Sequence, residues 1–266
     1  MTQISILGCG WLGFPLAKAF VFNGFLLKGS TTSETKLSVL KENNIDPYLI
    51  FLNENEIVGN IEGFLSNSEI LIIDIPPKLR GNSKENFVAK IENLISFVRK
   101  SSVKKVLFVS STSVYGEDNS VVTEETIPNP DTESGKQLWQ SEMLLQSNIN
   151  FETTILRFGG LIGEDRHPVK YMAGRENLEN PDAPVNLIHQ NDCIGIIKKI
   201  VETNVWNETF NTVHPFHPTR KDYYTQKAIE LGLPIPDFNL NSKNAHKIIS
   251  ANKIQQNLKY TFVTSI

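Results

Sequence analysis

Three glycines near the start of the chain could do chemistry together. Gly8, Gly10 and Gly13 stand in the spacing GxGxxG over Gly8-Cys9-Gly10-Trp11-Leu12-Gly13. A first glycine permits a tight turn, a second lets the backbone approach a pyrophosphate, and a third lets a helix pack close to a strand. The free N–H groups and dipole at the helix start then hold the phosphates. The end of the second strand selects among dinucleotides, through an acid that accepts from the ribose 2′-hydroxyl. That place is held by Thr31, Thr32 and Ser33, with Glu34 and Lys36 next. Hydroxyls beside a lysine suit a 2′-phosphate, so the reading is NADP, with NAD as the alternative. The competing reading of Thr32 or Ser33 is a helix cap.

These residues need a strand before the turn and a helix after it. Ile4-Ser5-Ile6-Leu7 supplies the strand, and Leu12, Leu16, Ala19 and Phe20 fall at the spacing of one buried helix face. Pro15 sits in the first turn, where a missing N–H costs little. Gly24 closes that helix. Further strands are expected over residues 25–30, 47–52, 69–75, 104–109 and 151–156, several of them continuous apolar runs that suit parallel strands buried on both faces. A helix is expected over 84–99, with Phe87, Ile91, Leu94, Ile95 and Val98 on one face. Others are expected over 133–146, 192–201 and 220–230, with a strand at 210–213. Strand alternating with helix implies an α/β fold with a Rossmann-type, doubly wound parallel sheet. Its ligands bind beyond the carboxyl ends of the strands, where residues 8–13, 31–33, 75–77 and 110–115 lie.

At 266 residues the chain suits one α/β domain with a smaller appendage. The expected division is a dinucleotide-binding domain over 1–163 and a small substrate domain over 164–266, interleaved with the last elements of the main sheet. A net charge of −3 leaves no electrostatic footprint for nucleic acid or an acidic membrane. No apolar run approaches the ~20 residues of a membrane span, and the chain opens directly on a strand. Cys9 and Cys193 lie in unrelated segments, which excludes a disulfide framework and fits a cytoplasmic protein. His214 and His217 have a metal-like interval, but flanking prolines and the lack of an adjacent third ligand argue against zinc. The expectation is no metal, and a monomer or homodimer acting on a small molecule.

The chain resembles the extended short-chain dehydrogenases/reductases of the NAD-dependent epimerase/dehydratase type, and more closely their atypical bacterial branch. The resemblance rests on residues 8–13, on Ser110-Ser111-Thr112-Ser113-Val114-Tyr115-Gly116 and on Leu156-Arg157-Phe158-Gly159-Gly160-Leu161-Ile162-Gly163. Val185-Asn186-Leu187-Ile188-His189-Gln190-Asn191-Asp192 and Leu231-Gly232-Leu233-Pro234 follow in the family's order. It implies a cofactor site made of Gly8, Gly10, Trp11, Leu12, Gly13, Thr31, Thr32, Ser33, Ile75, Pro76, Ser110, Phe158 and Gly159.

The family's chemistry uses a serine or threonine after the fifth strand and a Tyr-x-x-x-Lys pair on the next helix. Ser111 takes the serine place. Aligned on Glu142, the tyrosine position is Ser134 and the lysine position is Leu138, so both expected groups are absent. Lys136 lies roughly 200° around a helix from Leu138. Tyr115 is the substitute proton donor, its other reading being a packed aromatic. Ser111 and Tyr115 are thus the catalytic candidates. Nucleotide-sugar members place an arginine where Val185 stands here, and losing that bidentate donor disfavours a nucleotide-sugar substrate. Arg166, His167, Arg175 and Asn186 are the substrate-side candidates. The reading is an NAD(P)-dependent oxidoreductase or epimerase-like enzyme on a small polar substrate, sugars being one class. Its rival is an NAD(P)-binding sensor or regulator that kept the fold and lost the chemistry.

Overall fold

The computed structural model describes residues 2–79, 85–117, 120–242 and 246–266. Its centre is a sheet of seven strands: β1 (Gln3–Leu7), β2 (Leu26–Thr31), β3 (Ile45–Leu49), β4 (Ile70–Ile73), β5 (Lys105–Ser111), β6 (Glu152–Phe158) and β7 (Thr209–Thr212). The spatial order is β7-β6-β5-β4-β1-β2-β3 and every pairing is parallel. The order reverses at β1, which lies between β2 and β4, so a crevice opens beyond the carboxyl end of β1.

The helices are α1 (Gly13–Phe22), α2 (Thr35–Glu42), α3 (Ile61–Leu65), α4 (Phe87–Val98), α5 (Glu133–Gln146), α6 (Val169–Met172), α7 (Gln190–Thr203), α8 (Arg220–Glu230) and α9 (Asn252–Asn257). Alternate residues of each strand face opposite layers. Ile70 and Ile72 of β4 pack with Leu16 and Phe20 of α1 and Ile196, Ile197 and Ile200 of α7. Leu71 and Ile73 pack with Phe87, Ile91 and Leu94 of α4 and with Leu138 and Leu145 of α5. Burial on both faces is why these strands carry unbroken apolar runs.

A third cluster joins Val169, Val185, Leu187, Tyr223, Tyr224, Ala228 and Phe238 in the second half of the chain. There Gly160–Ile162 pairs with Leu187–His189. Elsewhere Ile248–Ile249 pairs with Val121–Val122. Asp192, fully buried on α7, accepts hydrogen bonds from the Tyr260 hydroxyl and the Val263 and Thr264 amides. One carboxylate thereby ties residues 260–264 to the helix.

Several expected boundaries shift. On α1, Ala17 rather than Ala19 completes the buried face. The third strand ends at Leu49, because Phe51–Leu52 turns back to pair antiparallel with Ile57–Val58. The return is close: a Cβ on Gly59, at φ +114°, would lie 2.2 Å from the Leu49 carbonyl oxygen. Helix α4 starts at Phe87, with the Asn86 side chain accepting from the Ala89 amide. The expected start at Lys84 lies outside the described residues. All five apolar positions on its face are buried as expected.

Candidate functional site

The glycine turn leaves β1 through Gly8 at φ +105°, a backbone conformation that favours glycine. The Gly8 amide donates to Ser30 Oγ at 3.0 Å and the Cys9 amide to the Ser30 carbonyl at 2.7 Å, which pins the turn to β2. A Cβ on Gly8 would strike the Asp74 carbonyl oxygen at 2.3 Å, and one on Gly13 the Gly8 carbonyl oxygen at 2.2 Å. These two glycines are forced by close packing. Gly10 is different: nothing lies within 4 Å of its missing Cβ. No side chain caps α1 at Leu12. The Gly13 amide is taken by the Asp74 carboxyl and the Phe14 amide by the Gly10 carbonyl. The amides of Trp11 and Leu12, just before the helix, have no hydrogen-bond partner among the described residues and are open to an anion. The residues fit a pyrophosphate.

A pocket opens over this turn. Gly8, Cys9 and Gly10 line it with Thr31, Thr32, Ser33 and Lys36 from the end of β2, and with Asp74, Ile75, Pro76 and Lys78 after β4. Phe87 and Lys90 of α4 complete one wall. Thr31 Oγ1 accepts from the Ser33 amide at 3.1 Å. Neither Thr32 nor Ser33 caps α2, whose cap position is Glu34 with no side-chain bond, so the capping alternative fails. Lys78, Lys90 and Asp74 escaped the sequence reading. Asp74 carried a signal, since it ends the wholly apolar run Ile70-Leu71-Ile72-Ile73 at the ligand-binding end of a parallel strand.

Asp74 places a carboxyl group against the glycine turn. Its carboxyl oxygen lies 3.1 Å from where a Gly13 Cβ would be, and burial pushes its pKa up to about 8, partly offset by the Gly13 amide. It makes no salt bridge among the described residues. Cys9 beside it is pushed up to about 12, first by burial and then by Asp74.

Six of the expected cofactor residues do not line this pocket, Gly13 among them because it lies under the turn against the Gly8 carbonyl. Leu12 and Phe158 are buried in the α1–α7 layer. Ser110 is buried and donates to Glu142 Oε1. Gly159 is held by its amide on the Thr212 carbonyl. Trp11 leans outward, its indole N–H donating to Asp165 at 2.8 Å with the Arg166 guanidinium 5.0 Å from its ring centre. Gln190 donates to the Trp11 carbonyl at 2.6 Å, so the second half of the chain clasps the outer side of the turn.

Tyr115 is 3% exposed, its hydroxyl donates to Asn211 Oδ1 at 2.8 Å, and it accepts from Arg157 Nη1 at 2.6 Å. Burial raises its pKa despite the adjacent guanidinium. Arg157 is itself paired with Glu142 of α5 at 2.6 Å, and Glu142 accepts from Ser110. The Tyr115 hydroxyl thus lies in a buried network joining α5, β5, β6 and β7. Ser111 remains half-exposed, its Oγ accepting from the Ser113 amide at 3.1 Å, which leaves the hydroxyl proton to donate. Leu138 is buried against the sheet, Ser134 is half-buried and Lys136 points to solvent, so no lysine returns to the family's position.

The substrate-side residues divide. Arg166 stands exposed over Trp11 and Arg175 is exposed. His167 instead stacks on Tyr223 with centroids 5.7 Å apart, bonds its hydroxyl at 3.0 Å and accepts from the Val169 amide. Burial lowers its pKa. Asn186 has both ends engaged, donating to the Lys247 carbonyl and accepting from the Ile249 amide, each at 2.9 Å. His167 and Asn186 thus have their polar groups engaged by neighbours within the second half of the chain. His214 accepts from the Phe216 amide and His217 bonds the Val185 carbonyl. Among the described residues no group of three or more His, Cys, Asp or Glu is placed for a metal, and no helix is long and apolar enough to cross a membrane.

No family model matches the chain. A curated relative does: Protein YeeZ of Escherichia coli (strain K12) is 32% identical over 265 residues, 98% of this chain and 96% of that protein. The chain belongs to the YeeZ family. Solved structures set this YeeZ-family chain among epimerase/dehydratase and short-chain dehydrogenase/reductase folds. A UDP-glucose 4-epimerase from Thermotoga maritima, solved with UDP-glucose, superposes with a TM-score of 0.82 at 18% identity, covering 99% of this chain and 94% of that one. A short-chain dehydrogenase/reductase superfamily protein from Agrobacterium tumefaciens with bound NAD gives 0.80 at 15%, covering 99% and 93%. A putative NAD-dependent epimerase/dehydratase from Methylobacillus flagellatus gives 0.77 at 22%, covering 98% and 93%. At these identities the likeness is one of fold, and it runs nearly end to end.

Proposed function

We propose that this YeeZ-family chain is a cytoplasmic NAD(P)-dependent oxidoreductase or epimerase-like enzyme acting on a small polar substrate, sugars being one class. The observation that carries the reading is the open space at Gly10 above an uncapped helix start, continuous with a pocket reaching the end of β2. A bound nicotinamide dinucleotide supplies hydride transfer there. Gly8 and Gly13 shape the turn, and the amides of Trp11 and Leu12 just before α1 are assigned to the diphosphate. Lys36, with Thr32 and Ser33, stands at the selective end of β2 with no carboxylate among the pocket residues there, which supports NADP over NAD. Ser111 is assigned to hydrogen-bond the substrate oxygen, Arg166 and Arg175 to draw an anionic substrate, and residues 164–266 to form the substrate side of the cleft.

The rival reading, a dinucleotide-responsive regulator, is favoured by one specific arrangement. Leu138 fills the lysine position from inside the core, and Tyr115 is locked away from exchange with solvent. Fluorescence titration with NADPH and NADH, followed by a screen of carbonyl compounds for loss of NADPH absorbance, separates the two. Turnover of any carbonyl establishes the enzyme. Tight NADPH binding with no turnover across the screen establishes the regulator, and absence of dinucleotide binding overturns both.

A further inference from the structure

The phosphate turn holds a carboxyl group where an anion is to be bound. Asp74 ends β4, lines the same pocket as Gly8 and Gly10, and reaches the Gly13 amide at the start of α1. No cation pairs with it among the described residues, although Lys36 of α2, Lys78 of the loop after β4 and Lys90 of α4 line that pocket. Lys90 is instead paired with Glu85. The remaining titratable neighbours are thiols, Cys9 on the turn and Cys193 on α7, both made harder to ionise first by burial and then by neighbouring carboxylates that include Asp74. An ionised Asp74 would repel the diphosphate across a poorly solvated gap. A neutral carboxylic acid keeps the Gly13 amide through its carbonyl oxygen but carries no charge to repel the diphosphate, and it has a proton to donate to a phosphate or ribose oxygen.

We propose that Asp74 is a cofactor-binding residue that works as the neutral acid, so that dinucleotide binding and protonation of Asp74 are coupled. The proposal rests on the dinucleotide reading above. Burial keeps the Asp74 proton up to about pH 8 in the free protein. Below that pH the turn is ready for a diphosphate. Above it, binding must take up a proton, and affinity falls by about tenfold per pH unit, the slope for one linked proton.

The test is NADPH titration of the full chain by fluorescence from pH 7 to 9.5. The 2′-phosphate loses its second proton near pH 6, below this window. Wild type should hold its affinity to about pH 8 and then weaken by about tenfold per unit, whereas Asp74→Asn should stay flat. The variant keeps Lys36, Lys78, Lys90 and both thiols, so any slope they cause appears in both proteins. Calorimetry of the wild type at pH 9, in buffers of different ionisation enthalpy, should show close to one proton taken up per NADPH, and this decides the matter if Asp74→Asn does not fold. A flat wild-type profile with no proton uptake, or an equal slope in Asp74→Asn, overturns the coupling while leaving the dinucleotide reading intact. Failure of NADPH to bind at any pH overturns both.

Discussion

At the scale of single residues the site depends on where side chains are absent and where charge is placed. Gly10→Val puts a branched side chain into the space a diphosphate needs, while Gly10 itself touches nothing that the change would disturb. The expected outcome is a folded protein with an unchanged melting profile and no measurable NADPH binding; undiminished affinity would remove the turn from the cofactor site. Lys36 is exposed at the rim of the pocket and forms no salt bridge among the described residues. A hydrogen bond to a charged group contributes about 1.5–3 kcal/mol. Lys36→Ala should therefore weaken NADPH by roughly 10- to 100-fold with little effect on NADH. Paired titrations check this, and an equal loss for both cofactors would show that Lys36 does not read a 2′-phosphate. Exposed Thr32 is the better place to add an acid than Thr31, which is buried and bonded to the Ser33 amide.

At the scale of elements, β6 and α5 are joined by a buried chain of polar groups rather than by apolar contact alone. Ser110, Glu142, Arg157, Tyr115 and Asn211 link β5, α5, β6, the turn after β5 and β7 in one hydrogen-bonded series. Tyr115→Phe leaves Arg157 Nη1 and Asn211 Oδ1 short of a partner, a loss of roughly 1–3 kcal/mol. Denaturant unfolding should register it, with NADPH affinity and any turnover unchanged. If turnover instead drops by roughly a hundredfold or more while stability holds, Tyr115 returns to the proton-transfer role. Periodicity located these elements well: the face of α4 and the bounds of α5 and α8 are legible in the sequence. It failed where tertiary contact decides. Tyr115 looks like an acid in the sequence, because only the fold shows Arg157 and Asn211 closing on its hydroxyl. Ser134 and Leu138, where the resemblance implies the tyrosine and lysine, lie half-buried and buried on α5. Asp74 was not read as a site residue, because a single acid after an apolar strand gains meaning only when the turn folds over it.

At the scale of the whole molecule, the two halves of the chain are held by ties that cross the glycine turn and α7. The segment with Asp165, Arg166 and Gln190 grips Trp11, and α7 returns to pack on α1. The last residues close the assembly. Asp192 receives three donors from residues 260–264, and Ile266 enters the third apolar cluster beside Val185 and Tyr224. Such a carboxylate is replaceable by no neutral isostere without loss, since an amide turns one acceptor oxygen into a donor facing donors. Asp192→Asn should free residues 260–266 before it unfolds the sheet, because α7 keeps Ile196, Ile197 and Ile200 in the core independently of the tail. Hydrogen exchange should show the Val263 and Thr264 amides losing protection in the variant while β1, β4 and β5 keep theirs. If those strands lose protection to the same degree, the tail and the sheet unfold as one unit, and Asp192 stabilises the whole fold instead of fastening its end.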